Sequence, residues 1–391
     1  VKDVAVVGYC RTGIAKASRG ALNLTHGIPL AAHVLKAAIE RAGVEAGEVE
    51  DVVMGCGLPE GYTGHNIART SALWAGFPDS VPGVTINRYC GSGLTAASIA
   101  ANRIATGEAD IVIAAGVESI SLTQSHLNFN GFFYEPLQQK MPAVWWSMNQ
   151  TADFVATKYG IEREALDRYV VESQARVEAA RVAGKFAEEI TPFATTMQVT
   201  DKATGETHAQ EVTLDHDEGP RPGTTLEALA ALKPVYPGGT TTAGNASQLS
   251  DGSAAAVMMD ADLAARRGLP ILGLFRGMQL AAVAPEEMSI AITPAIRKLM
   301  GRHKLQMDDV ALWELHEAYA VTTLYNQAQL QTPWPITNVN GGAIALGHPY
   351  GMSGVRYLGQ TLMELGRRGG GKAVVAVCTA GGMATAALLE R

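Results

Sequence analysis

The sequence predicts an α/β fold, on three observations. Short apolar runs alternate with runs of helical period. The apolar runs are hydrophobic at successive positions, as strands buried on both faces are. The same succession of segments also returns later in the chain, offset by about 260 residues. In chain order, residues 4–7 read as a strand entering the turn at Gly8, residues 31–42 as a helix, and residues 49–55 as a second strand. A glycine-rich turn beginning at Arg88 leads into a small-residue helix over 94–106 and an apolar strand over 110–116. The period breaks over 119–244, where Phe129, Phe132, Phe133, Tyr134, Trp145 and Trp146 crowd a Gln-rich, Pro-containing segment and a long charged helix over 162–186 follows. A structureless loop of that length is improbable, so this segment is expected to be an insertion with a small fold of its own. After Pro270 the first pattern resumes.

A chain of 391 residues is too long for one core of the usual ~100–150 residues, so two or more packed units are expected. Hydrophobic residues make up 47% and charged residues only 18%, which excludes bulk disorder. Lys and Arg number 31 against 38 Asp and Glu, a net charge of −7, and no basic block stands out, which argues against a nucleic-acid partner. No apolar stretch approaches the ~18 residues of a membrane span. The N-terminal residues lack a signal-type apolar region, the C-terminal Leu388-Leu389-Glu390-Arg391 is no peroxisomal tag, and the four cysteines show no CxxC spacing. A reducing, cytoplasmic setting is expected.

The duplication is the most useful feature for locating chemistry. Residues 35–39 parallel 296–300, the strand 110–116 parallels 373–379, and Cys90-Gly91-Ser92-Gly93 parallels His348-Pro349-Tyr350-Gly351, each of these last two before a helix. Two similar halves packed about a pseudo-twofold axis bring these helix starts to one cleft, with a thiol opposite an imidazole. A helix start aims free backbone N–H groups at Cys90, which favours its thiolate, and imidazole is the natural base for a thiol. Cys378 ends the strand of the second half and precedes Thr379-Ala380-Gly381-Gly382, a small-residue turn able to expose N–H groups as an oxyanion hole. His316, in His316-Glu317-Ala318-Tyr319, ends the strand equivalent to 52–55 and is a candidate donor to a substrate oxygen. Cys10 and Cys56 lie at strand ends without polar company and read as structural. Gly91-Ser92-Gly93-Leu94-Thr95-Ala96 also fits a dinucleotide fingerprint with Glu118 as ribose acid, but that leaves Cys90, His348 and Cys378 unexplained. Gly366 to Lys372 matches GxxxxGK but precedes a strand, and no His/Cys spacing suggests a metal.

Taken together these motifs resemble the thiolase family, the acyl-CoA:acetyl-CoA C-acyltransferases, over nearly the whole chain: 61–69 with Asn66, the Cys90 motif, Gly244-Asn245-Ala246-Ser247 with Asp251-Gly252, His316, Gly347-His348-Pro349, and Cys378 with its glycines. The resemblance implies a thiolase-like five-layered αβαβα core of two duplicated halves. Residues 1–118 with 245–268 would form the first, 269–391 the second, and 119–244 a loop domain over coenzyme A. It also implies Cys90 as the acylated nucleophile, His348 as its base, Cys378 as the second acid/base, His316 and His348 on the thioester oxygen, and the N–H groups of Cys90 and Ala380 on the tetrahedral intermediate. Ser247, Arg221 and Met148 are implied as contacts to coenzyme A, a substrate here and not a resident cofactor, and a homodimer or homotetramer is implied. The sequence departs from the family pattern in three places. His316 stands where many members carry Asn, Ala380 replaces the first glycine of Cys-x-Gly-Gly-Gly, and Ser147 precedes Met148 where short-chain biosynthetic members commonly carry His. Two rival readings are a decarboxylating condensing enzyme using one Cys and two His, against which Cys378 counts, and a catalytically silent acyl-CoA or lipid-binding protein.

Overall fold

The computed structural model describes residues 1–201 and 203–391. The first half runs β1 (Val4–Arg11), β2 (Ala15–Lys16), α1 (Gly27–Ala42), β3 (Asp51–Gly55), α2 (Ile67–Trp74), β4 (Gly83–Ile86), α3 (Ser92–Thr106) and β5 (Ile111–Glu118). Next come α4 (Ile120–Thr123), α5 (Glu135–Lys140), α6 (Met148–Lys158), α7 (Arg163–Val182), β6 (Phe193–Thr200), β7 (Thr207–Leu214) and α8 (Leu226–Ala230). The chain returns through β8 (Ser250–Asp260), α9 (Ala261–Arg266), β9 (Gly273–Ala282), α10 (Ile292–His303), β10 (Val310–Leu315) and α11 (Ala320–Leu330), and ends with α12 (Ala343–Leu346), α13 (Tyr350–Arg367), β11 (Lys372–Thr379) and β12 (Met383–Glu390).

The duplication read from the sequence is visible in the pairing. β3 lies parallel to β5, and β5 runs antiparallel to β8; β10 lies parallel to β11, and β11 runs antiparallel to β12. The strand order β10-β11-β12-β9-β1-β8-β5-β3-β4 is one hydrogen-bonded path, but among the described residues β1 and β9, where its halves meet, pair only at Ala5↔Leu274 and Val6↔Gly273. Alternation along β1 shows how each half is sandwiched. Ala5 and Val7 face the core beneath α1 and α2, while Val4 and Val6 face the central core shared by α3 and α13. A third core lies under α10 on the far face of β10–β12. The layers are therefore helix, sheet, helix, sheet, helix, as the resemblance implied.

α13 is buried on nearly all sides, as the helix at the centre of such a stack must be. It meets α3 backbone to backbone. A Cβ on Gly354 would stand 2.1 Å from the Leu94 amide nitrogen, and one on Gly93 would stand 2.5 Å from the Gly351 carbonyl oxygen. Only glycine allows that approach, and it brings the starts of α3 and α13, with Cys90 and His348, side by side.

The segment between β5 and β8 departs from expectation. It contains its own two-stranded β6–β7 sheet, but α6 and α7 do not close a separate core. Leu166, Tyr169 and Val170 of α7 pack with Val155 of α6, Val321 of α11 and Ile344 of α12. A helix this charged offers one apolar stripe, and that stripe needs another element's surface. Arg11, fully buried at the end of β1, grips Asp217 bidentately at 2.6 and 2.8 Å and so anchors the segment's far end. Phe129, Phe132 and Phe133 stack on one another and on Trp145, and the three phenylalanines stay about half exposed. Among the described residues no helix is long and apolar enough to cross a membrane.

Candidate active site

Cys90 sits in a single 3₁₀ turn, Tyr89–Gly91, that feeds directly into α3. Tyr89 has φ 47°, a left-handed conformation uncommon for a bulky residue, and the turn is pinned by side chains. Ser92 Oγ donates to the Tyr89 carbonyl at 2.6 Å and accepts from Arg88 N–H at 2.8 Å, while Asn87 Oδ1 accepts from Tyr89 N–H at 2.7 Å. The sulfur therefore projects from a sharp elbow.

His348 precedes Pro349, the N-cap of α13, and its backbone N–H donates to the Gln248 carbonyl at 3.0 Å. His316 follows β10, its N–H donating to the Ala376 carbonyl of β11 at 2.9 Å. Both imidazoles are buried, with ring centroids 4.2 Å apart. In each ring Nδ1 is bonded, to Ser353 Oγ in His348 and to Tyr357 Oη in His316, both at 2.7 Å. Nε2 of each ring is buried without a partner among the described residues. Cys90 Sγ and one nitrogen of each imidazole lie within 4.8 Å of one another. The expected thiol–imidazole juxtaposition is thus present. A thiol and two imidazoles are also donor types that zinc uses.

Cys378 is buried at the end of β11, whose hairpin to β12 closes at Thr379↔Met383. The N–H groups of Ala380 and of Cys90 itself face the Cys90 sulfur. Gly381 and Gly382 take φ of 78° and 77°, whereas Ala380 does not enter the positive-φ region. The glycine-to-alanine departure at 380 therefore imposes no backbone strain.

The ionisation states differ from the sequence expectation for Cys90. Burial pushes its thiol up to about 12, against which the N–H groups of Ala380 and Cys90 pull only partly. A helix start alone favours a thiolate, but the water-poor interior outweighs it. Burial likewise pushes Cys378 well up, reinforced by Cys90, and depresses His348 to about 3 and His316 well below its usual value. Each of these shifts favours the neutral form, the thiol for both cysteines and the uncharged ring for both histidines.

Glu118 is no ribose acid. Its carboxylate accepts N–H bonds from Gly57, Leu58 and Gly351 at 2.8–3.0 Å, and burial raises its pKa to about 7. Cys10 and Cys56 are buried thiols bonded to the Val34 carbonyl and Glu118. Gly366 to Lys372 is the turn from α13 into β11, with Gly369, Gly370 and Gly371 at positive φ. Tyr319 and Tyr350 escaped the sequence reading. The Tyr350 ring lies 5.2 Å from that of His348 and its hydroxyl donates to Gln124, while Tyr319 donates to Asn149. Tyr319 closes the motif His316-Glu317-Ala318-Tyr319 and Tyr350 lies two residues after His348 in His348-Pro349-Tyr350-Gly351, and that proximity to each histidine was the available signal.

Of the three implied coenzyme A contacts, Arg221 lines a cavity of about 230 Å³ together with Gly244, Gln248 and Leu229. The Gln248 carbonyl accepts from His348 N–H, so the cavity abuts the cleft. Ser247, with its N–H on the Ala318 carbonyl, precedes Gln248 but does not line the cavity, and Met148 packs against the core under α10.

Residues 4–262 match the family described as thiolase, N-terminal domain, and residues 269–391 the thiolase, C-terminal domain. The chain is 38% identical over 397 residues to the 3-ketoacyl-CoA thiolase of Bacillus subtilis (strain 168), all of both chains being covered. It is 41% identical to 3-ketoacyl-CoA thiolase 5, peroxisomal, of Arabidopsis thaliana, over its full length and 85% of that protein. Among solved structures it resembles the Bacillus anthracis acetyl-CoA acetyltransferase with a TM-score of 0.88 and 34% identity, covering 100% of this chain and 98% of the other.

Proposed function

The chain belongs to the thiolase family, and on that premise we propose that it catalyses the reversible, CoA-dependent cleavage of a 3-oxoacyl-CoA to acetyl-CoA and a shortened acyl-CoA, through an acyl-Cys90 intermediate. The observation that carries this reading is the convergence of Cys90 Sγ with a nitrogen of His316 and of His348 within 4.8 Å, together with the buried thiol of Cys378.

Because Cys90 is a neutral thiol at rest, its proton leaves for His348 Nε2 as sulfur attacks the 3-keto carbon, not before. The N–H groups of Cys90 and Ala380 receive the developing alkoxide. The C2–C3 bond then breaks, and the acetyl-CoA carbanion takes the Cys378 proton while its thioester oxygen is held by His316 and His348. Incoming CoA gives its thiol proton to the Cys378 thiolate and attacks the acyl group. Cys90 leaves and recovers its proton from His348. Run backwards, the same steps form a carbon–carbon bond. In this reading CoA runs along the Arg221-lined cavity, and Ser247 and Met148, which lie outside its lining, would touch it nearer the cleft. The relatives' names divide between 3-ketoacyl-CoA thiolase and acetyl-CoA acetyltransferase. We further read the protein as cytoplasmic and as a homodimer or homotetramer, which light scattering tests.

Cys378 favours this reading over a decarboxylating condensing enzyme, which needs no second thiol. Incubation with acetoacetyl-CoA followed by intact-mass analysis should show one acetyl group, mapped to Cys90. CoA should discharge it. A chain that binds the thioester yet never becomes acylated would instead be a silent acyl-CoA-binding protein.

A further inference from the structure

The two imidazoles of the cleft differ in the company of their Nδ1 atoms. Ser353 Oγ, the partner of His348 Nδ1, also contacts the Pro349 carbonyl at 2.9 Å. A carbonyl only accepts, so the single hydroxyl proton of Ser353 goes there, and Oγ must accept from His348 Nδ1–H. His348 Nε2 is then the bare, basic nitrogen. Tyr357 is fully buried, and among the described residues its hydroxyl has one partner, His316 Nδ1. If that Nδ1 carried a proton, the phenolic O–H would be buried with nothing to donate to, the arrangement that folded interiors avoid. The phenol therefore donates, Nδ1 is bare, and the His316 proton sits on Nε2. The Arg356 guanidinium, 4.1 Å from the centre of the Tyr357 ring, places positive charge over the phenol and strengthens it as a donor.

We infer that Tyr357 is a positioning residue that fixes His316 in the Nε2–H tautomer, opposite to the tautomer Ser353 imposes on His348, so that one histidine enters the cleft as a hydrogen-bond donor and the other as a base. The assignment of donor and base to steps of catalysis rests on the proposed thiolase reading; the tautomers themselves do not. Two histidines that would otherwise compete for the same thiol proton are thereby given separate tasks.

The test is ¹⁵N NMR of the full-length protein labelled at histidine, with His316 and His348 assigned through H316N and H348N. Protonated and bare ring nitrogens have well-separated shifts, so each tautomer is read directly. The expected pattern is bare Nδ1 and protonated Nε2 for His316, and the reverse for His348. Tyr357→Phe keeps the ring and deletes the donor. The His316 signals should then move toward an average of the two tautomers, with kcat for thiolysis falling about tenfold and KM little changed. Ser353→Ala should shift His348 alone. A protonated Nδ1 on His316 in the unaltered protein overturns the inference, as does a Tyr357→Phe protein whose His316 signals do not move. If Tyr357→Phe does not fold, the unaltered protein's spectrum still decides. Failure of the thiolase reading would appear separately, as a missing acyl group on Cys90 with the tautomer pattern intact.

Discussion

Replacing Gly354 by Ala places a methyl group 2.1 Å from the Leu94 amide nitrogen and 2.8 Å from the Gly93 carbonyl carbon. Both are backbone atoms of α3, so no side chain can rotate aside. Ordinary contact begins at 3.4 Å, and reaching it parts α3 and α13 by about 1.3 Å at the level of their first turns. Overpacking of this kind costs about 1–3 kcal/mol, and backbone on the receiving side puts Gly354→Ala at the upper end. The same displacement separates the elbow holding Cys90 from the start of α13 holding His348. A misplacement of about 1 Å between reacting groups can lower the rate about a hundredfold. Steady-state thiolysis of acetoacetyl-CoA measures the second effect, and urea unfolding the first. Gly301→Ala is the matched control. It lies in α10, with nothing within 4 Å of its added Cβ, and should gain about 0.5–1 kcal/mol without loss of activity. A Gly354→Ala protein with activity within about twofold of the parent and an unmoved urea midpoint would refute the idea that this helix crossing sets the distance between thiol and imidazole.

With the Cys90 thiol held near 12, iodoacetamide alkylation of Cys90 in the free protein should keep rising about tenfold per pH unit between roughly pH 6 and 9. A plateau near neutrality would mean that the thiolate is already formed at rest. Cys378→Ala should still accept an acetyl group on Cys90 from acetyl-CoA but form no acetoacetyl-CoA, because only the condensation needs a proton removed from carbon; parallel loss of both half-reactions would contradict that division. His316→Asn should retain more turnover than His316→Ala, which loses about a hundredfold to a thousandfold, since an amide N–H can replace the Nε2 donor. Equal, severe losses with a shifted acidic limb of the rate profile would make His316 a titrating group.

What the sequence disclosed was whatever depends on local pattern. β3 and β5 stood out through the unbroken apolar runs 52–54 and 111–117, as strands covered on both faces show. Cys90 and His348 stood out because each opens a helix at a matching place in a repeated series. What it withheld depends on neighbours distant in the chain. Cys90 looked poised as a thiolate because its helix start is local, whereas the burial that overrules it comes from α13 and the β11–β12 hairpin. No local pattern singles out Tyr357 or Ser353 in the sequence. Which way each hydroxyl points its proton is decided by the Pro349 carbonyl in one case and by the lack of any other acceptor in the other. The insertion announced itself by composition, but nothing in residues 119–244 shows that α7 completes its core with α11 and α12.

The neutral resting state and the mechanism fit together through the way the halves meet. α3 and α13, of 15 and 18 residues, point their N-termini at the same cleft, so two partial positive charges converge there. That field is too weak to ionise a desolvated thiol permanently, and Glu118, which takes the N–H of Gly351 from α13 and raises Cys90, works against ionisation. Yet the field is fixed in the backbone and needs no reorganisation when charge appears. Negative charge forms on sulfur, then on the alkoxide, then on the enolate oxygen, all within reach of the same dipoles and of N–H groups from Cys90 and Ala380. A permanently ionised Cys90 would spend that stabilisation in the ground state and be a poorer nucleophile for it. Burial that holds the thiol neutral therefore reserves the helix starts for the transition states.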